Sequence, residues 1–109
     1  MALFNKTALE CSKLITERYS TSFTLGIKTL DRKFHFPIYA IYGFVRYADE
    51  IVDTFHDYDK KTLLDRFKFD TYQAIKEGIS LNPVLQSFQL VVRQYKIEHE
   101  LIESFLKSM

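Results

Sequence analysis

An all-α fold is predicted for this chain on three observations. Only three glycines and two prolines punctuate its 109 residues. No window alternates apolar and polar residues for long, and apolar side chains recur at helical spacing instead. Hydrophobic residues make up 47% of the chain, enough to build a core and to exclude wholesale disorder. Seven tyrosines and ten phenylalanines with no tryptophan make that core aromatic-rich. The length fits one domain or a piece of one.

About five helices are expected, in order. The first covers residues 4–18, with Leu14 and Ile15 turned inward, and Ser20-Thr21-Ser22 interrupts it. A short segment over residues 23–30 leads to the longest apolar stretch, residues 37–54. Pro37 suits the first turn of that helix, where a missing N–H costs nothing. Residues 57–59 form a polar turn, and Asp59 is the N-cap of a third helix that ends at Gly78. Asn82-Pro83 is a cap followed by proline at the first helical position, opening a fourth helix to about Tyr95. A fifth begins near Glu98 and is still running at Met109, because Phe105, Leu106 and Met109 keep the apolar spacing with no stop signal.

Charge and cysteine content narrow the function. Fifteen basic residues against 14 acidic ones give a net charge of +1 without a basic block, so a nucleic-acid partner is set aside. Cys11 is the single cysteine, which points to a reducing, cytoplasmic setting. Lys6, Glu10 and Lys13 break up the N-terminus, which reads neither as a signal peptide nor as a membrane span. Peripheral contact with a membrane stays open.

The helix over residues 37–54 holds the informative pattern. Ile38, Tyr39, Ala40, Ile41, Tyr42, Phe44, Val45, Tyr47, Ala48, Ile51 and Val52 make it apolar on every side, and such a helix must be surrounded. Four companions can barely encircle it. With the unfinished last helix, this predicts that residues 1–109 are an N-terminal portion, and that the piece hides its open apolar face in a homo-oligomer.

On this helix Arg46, Asp49 and Asp53 are spaced three and four apart and share a face. Tyr42 extends the stripe by a turn, Glu50 flanks it, and His56 lies three beyond Asp53. Two neighbouring carboxylates on a helix committed to burial need a partner for their charge. One arrangement is an ion-pair network, Arg46 with Asp49 and Asp53 capping a nearby group. The other is a hard cation: one Arg cannot satisfy two aspartates and a glutamate, and Mg²⁺ takes one or two carboxylates plus phosphate and water oxygens. A di-iron bundle is rejected, since Asp53-Thr54-Phe55-His56 has no second carboxylate-x-x-His motif to match it. A local Ser-His-Asp signature and a glycine-rich phosphate loop are lacking.

The run Tyr19-Ser20-Thr21-Ser22-Phe23, followed by Tyr39 to Asp53 as Tyr-Ala-Ile-Tyr-Gly-Phe-Val-Arg-Tyr-Ala-Asp-Glu-Ile-Val-Asp, resembles the squalene and phytoene synthases. That family carries a Ser-x-Ser-Phe segment and then a helix reading Tyr-Ala-x-x-Arg-x-x-Asp-Asp-x-x-Asp. The resemblance covers residues 19–53, and its two motifs together are far more specific than either alone. It implies the N-terminal helices of the isoprenoid (terpenoid) synthase fold. It also implies an enzyme that condenses two farnesyl or geranylgeranyl diphosphates head-to-head with loss of pyrophosphate.

By position, the resemblance makes Asp49 and Asp53 the ligands of Mg²⁺, with Mn²⁺ as a substitute, and Arg46 the contact to diphosphate oxygens. Ser20 and Ser22 would line the diphosphate end, Phe23 the prenyl chain and Tyr42 the cavity. Outside the family context Ser20 and Ser22 read as a turn or helix cap, and Phe23 and Tyr42 as ordinary core. Glu50 stands where the family more commonly has a second aspartate. The family's second aspartate-rich helix has no counterpart after Asp59, since Asp65 and Asp70 are five apart on an amphipathic surface helix. Phytoene-type condensation is preferred over squalene-type, which alone would draw hydride from NADPH. Residues 1–109 by themselves are expected to be inactive. The competing class is a non-catalytic helical interaction module.

Overall fold

The computed structural model describes residues 2–109. Six α-helices and one 3₁₀ turn follow in order: α1 (Leu3–Tyr19), α2 (Thr21–Lys28), the turn Arg32–Phe34, α3 (His35–Thr54), α4 (Lys60–Glu77), α5 (Pro83–Tyr95) and α6 (His99–Lys107). The described residues contain no strand, as the periodicity predicts. The segment after Ser20 is a full helix, so the count is six and not five. Ser20 makes it one: its side chain accepts the Phe23 N–H at 3.0 Å and so starts α2 immediately after α1 stops. The last helix closes at Lys107 with Ser108 as its C-cap, short of Met109.

Local signals place the other ends where the sequence puts them. Asp59 accepts the Thr62 N–H at 3.1 Å and opens α4, and Gly78 closes it at φ +73°, a left-handed position that glycine takes without strain. Asn82 accepts from Val84 and Leu85 ahead of α5, with Pro83 at its first position.

Helix α3 runs through the middle of the packing, against α1, α4 and α5. Phe44 anchors it, stacking on Phe88 of α5 with ring centroids 3.8 Å apart and on Phe67 of α4 at 5.4 Å. Helix α1 approaches α3 closely because its inner face is small: Ala8, Ser12 and Thr16, four apart, are all buried. Gly43 receives Ser12, whose hydroxyl also hydrogen-bonds that of Ser87 in α5. On α1, Ile15 packs on the core, but Leu14 points outward and is exposed, contrary to the expectation that both turn in.

The enclosed helix is α5, not α3. From Val84 to Val92 every residue of α5 except Leu90 is buried, whereas α3 leaves Ile41, Tyr47 and Val52 exposed. The difference is length: α5 has 13 residues lying against α1, α3 and α4, whereas α3 spreads its packing against α1, α4 and α5 over 20 residues and keeps one face open. Among the described residues no helix is long and apolar enough to cross a membrane.

Candidate active site

That open face of α3 carries the residues singled out in the sequence. Tyr42, Arg46, Asp49 and Asp53 lie along it at helical spacing, and α1 and α2 deliver the rest through the break at Ser20. Phe23 of α2 stacks on Tyr42 of α3, with centroids 4.3 Å apart and planes 21° from parallel. The end of α1 brings Tyr19 under Arg46, whose guanidinium carbon sits 4.4 Å from the ring centroid. Cation–π contact of this kind holds a guanidinium flat and fixes where its N–H groups point.

Arg46 is the hub. It reaches Asp49 and Glu50 at 3.7 Å each, loose pairs that leave much of its hydrogen-bonding capacity unused. Its Nε is buried without a partner. Glu50 is tied more firmly from the other side, where the Tyr19 hydroxyl donates to it at 2.8 Å. That bond is the main cause holding the Glu50 carboxyl below its usual range, with a hydrogen bond from Thr54 next and Arg46 the smallest contribution. The same bond pushes the Tyr19 phenol up. The sequence pattern gives Tyr19 no role and leaves Glu50 a flanking charge. Its available signals were the Arg46–Glu50 spacing of one turn and the place of Tyr19 at the head of the Ser-x-Ser-Phe segment.

The carboxylates sit differently from expectation. Asp49 keeps 45% of its side chain exposed and Asp53 is exposed, so neither suffers the burial that their place on an apolar helix suggested. Desolvation therefore does not force a cation on them. Arg46 serves Asp49 and Glu50, and Asp53 has no ion-pair partner among the described residues. His56 falls beyond the end of α3 and is exposed.

The donor set still suits a hard cation. Two carboxylates one turn apart on an open face offer oxygen ligands and leave room for water and phosphate oxygens, as Mg²⁺ requires. No group of three or more His, Cys, Asp or Glu residues is clustered for metal binding among the described residues. Ser20 is committed to capping α2, while Ser22 is exposed on the same turn. On the far side of Glu50 a groove of about 340 Å³ opens between α3 and α4, walled by Tyr47, Ile51, Phe55, Leu63 and Phe67 with Arg66 and Asp70 at its edge.

No curated protein and no solved structure matches the chain. The squalene/phytoene synthase family model matches residues 16–109, from the last turn of α1 through α6 and across every residue of the stripe. On that match the chain belongs to the squalene/phytoene synthase family, and its helices are those of the isoprenoid synthase fold.

Proposed function

We propose that this chain builds the first diphosphate-binding wall of a head-to-head prenyl transferase that joins two prenyl diphosphates, most simply geranylgeranyl diphosphates in a phytoene-type condensation. The observation that carries the reading is Arg46. It is fixed over Tyr19 with only loose 3.7 Å contacts to Asp49 and Glu50, on the same helix face as Asp49 and Asp53 and next to the Phe23–Tyr42 stack.

Asp49 and Asp53 would hold Mg²⁺, or Mn²⁺ in its place. Bound there, the ion supplies positive charge for the leaving diphosphate. Arg46 donates to the diphosphate oxygens, and its aromatic platform spares it the cost of reorganising as negative charge develops. Ser22, with a free hydroxyl face, lines the diphosphate end, and Ser20 positions it by fixing the first turn of α2. Phe23 and Tyr42 flank the first carbons of the prenyl chain, keep water from the allylic cation and present ring faces to it.

The C–O bond of one substrate breaks with its electron pair leaving on pyrophosphate. The second substrate's double bond then attacks the cation, and proton loss closes a cyclopropane. A second ionisation and rearrangement end in proton loss for phytoene, or in hydride transfer from NADPH for squalene. One carboxylate wall holds the leaving group from one side only, so residues 1–109 alone are proposed not to turn over.

Calorimetric titration of geranylgeranyl and farnesyl thiodiphosphates, with and without MgCl₂, tests this. Wild type should bind in a Mg²⁺-dependent way, and Asp49→Asn or Asp53→Asn should each abolish that dependence with the helical circular dichroism intact. Wild-type affinity in both variants would remove the metal-ligand assignment. Product extraction after incubation with natural diphosphates checks the second claim, which squalene or phytoene in the extract would refute.

A further inference from the structure

At the opposite end of α3 the surface changes character. Lys13 of α1, Lys28 of α2 and Arg32 and Lys33 of the 3₁₀ turn surround a shallow basin of about 600 Å³, together with His35, Phe36 and Tyr39. None of these four cations has an ion-pair partner among the described residues. The acids nearby are Asp31, in the same connection, and Glu10 and Glu17 of α1, one turn to either side of Lys13, with Glu17 close enough to act on Tyr39. The local balance stays positive. Beside the cations, Leu30, Phe34 and Phe36 stand 46%, 41% and 44% exposed, with the Lys33 ammonium 5.1 Å from the centroid of the Phe34 ring. The His35 Nε2 lies 2.9 Å from the Leu30 carbonyl oxygen and ties the connection together.

We propose that this α2–α3 connection, with Lys13 alongside, docks the protein on an anionic lipid bilayer. Two features select that partner. Unpaired basic side chains meet a negative headgroup layer, and each adds to the attraction. Exposed aromatic and aliphatic side chains among them gain only if apolar material lies beneath the charge, as acyl chains do beneath headgroups. A free phosphate would engage the cations and leave Leu30, Phe34 and Phe36 in water. At about 1.5 Å per residue, Phe36 is roughly 20 Å along α3 from Asp49. The docking surface is therefore separate from the diphosphate wall and does not rest on its assignment.

Co-sedimentation with lipid vesicles is the test. The chain should pellet with phosphatidylcholine vesicles containing about one-quarter phosphatidylserine and stay in solution with pure phosphatidylcholine. Binding should weaken by about tenfold or more in K28E/R32E/K33E, and at about 0.5 M salt. F34S/F36S should also bind more weakly, with circular dichroism showing that both variants keep their helices. No binding to the anionic vesicles, equal binding to both kinds, or wild-type binding by the charge-reversed variant would overturn the proposal. So would saturable binding of inorganic phosphate to the basin without vesicle binding, which marks an anion site. A dimer in sedimentation equilibrium that F34S/F36S dissociates, without vesicle binding, would assign the patch to a second copy of the chain and likewise overturn it.

Discussion

Tyr19 donates its hydroxyl to a Glu50 carboxylate oxygen across 2.8 Å and so ties the last residue of α1 to the acidic turn of α3. Its ring meanwhile carries Arg46 on one face. Tyr19→Phe removes the bond and keeps the platform, whereas Tyr19→Ala removes both. The Phe variant should weaken Mg²⁺-dependent binding of a prenyl thiodiphosphate by roughly threefold to tenfold, the worth of one hydrogen bond. The Ala variant should lose more, because Arg46 is then free to swing. Calorimetry on the two variants separates the contributions, and equal losses would mean that the ring adds nothing.

Ser20 and Ser22 should part company. Ser20 caps α2 through the Phe23 N–H, so Ser20→Ala should cost about 1 kcal/mol of stability in urea denaturation. Ser22 is exposed on the first turn, so Ser22→Ala should leave the urea midpoint unchanged and lower diphosphate affinity. A Ser22→Ala variant with wild-type affinity would take that hydroxyl out of the site.

Gly43 sets how close α1 can come to α3. A Cβ there would lie 3.1 Å from the Ser12 Cβ, 3.2 Å from its Cα and 3.3 Å from its carbonyl oxygen. Alanine gains about 1 kcal/mol of helix propensity over glycine, but overpacking costs about 1–3 kcal/mol. Ser12 is held by its bond to Ser87 and cannot easily retreat. Gly43→Ala should therefore be destabilising by about 1 kcal/mol, with a lower urea midpoint at unchanged slope. Tyr19 rides on the same helix as Ser12, so the variant should also loosen the Tyr19–Arg46 contact.

Acid should weaken α4 through its cap. The Thr62 backbone N–H, followed by the Thr62 hydroxyl, holds the Asp59 carboxyl below its ordinary value. A carboxyl whose pKa is lowered by folding stabilises the fold above its unfolded pKa, and loses that contribution as pH falls through the lowered, folded value. Asp59→Ala should lie below wild type in urea midpoint at about pH 7, and the gap should narrow at about pH 3. A gap of equal size at both would show that the bonds to Thr62 do not depend on the charge.

The sequence by itself determined the all-helical class, most of the helices and the family. Local chemistry writes those features: Asp59, Gly78 and Asn82-Pro83 mark helix ends through bonds within a few residues, and the Ser-x-Ser-Phe and Arg-x-x-Asp segments stand in one linear order. It also placed Tyr42, Arg46, Asp49 and Asp53 on one face, because helical spacing alone decides that. Which faces are covered depends on partners far along the chain, and there the sequence misled. Apolar residues all around α3 suggested enclosure, yet α5 takes the enclosed place and α3 keeps its carboxylates in the open. Only the tertiary structure decided that Tyr19 would sit beneath Arg46 and bond Glu50. That contact spans two helices, and it exists because small residues on α1 and Gly43 on α3 let their backbones approach, a fit between surfaces that no local pattern records.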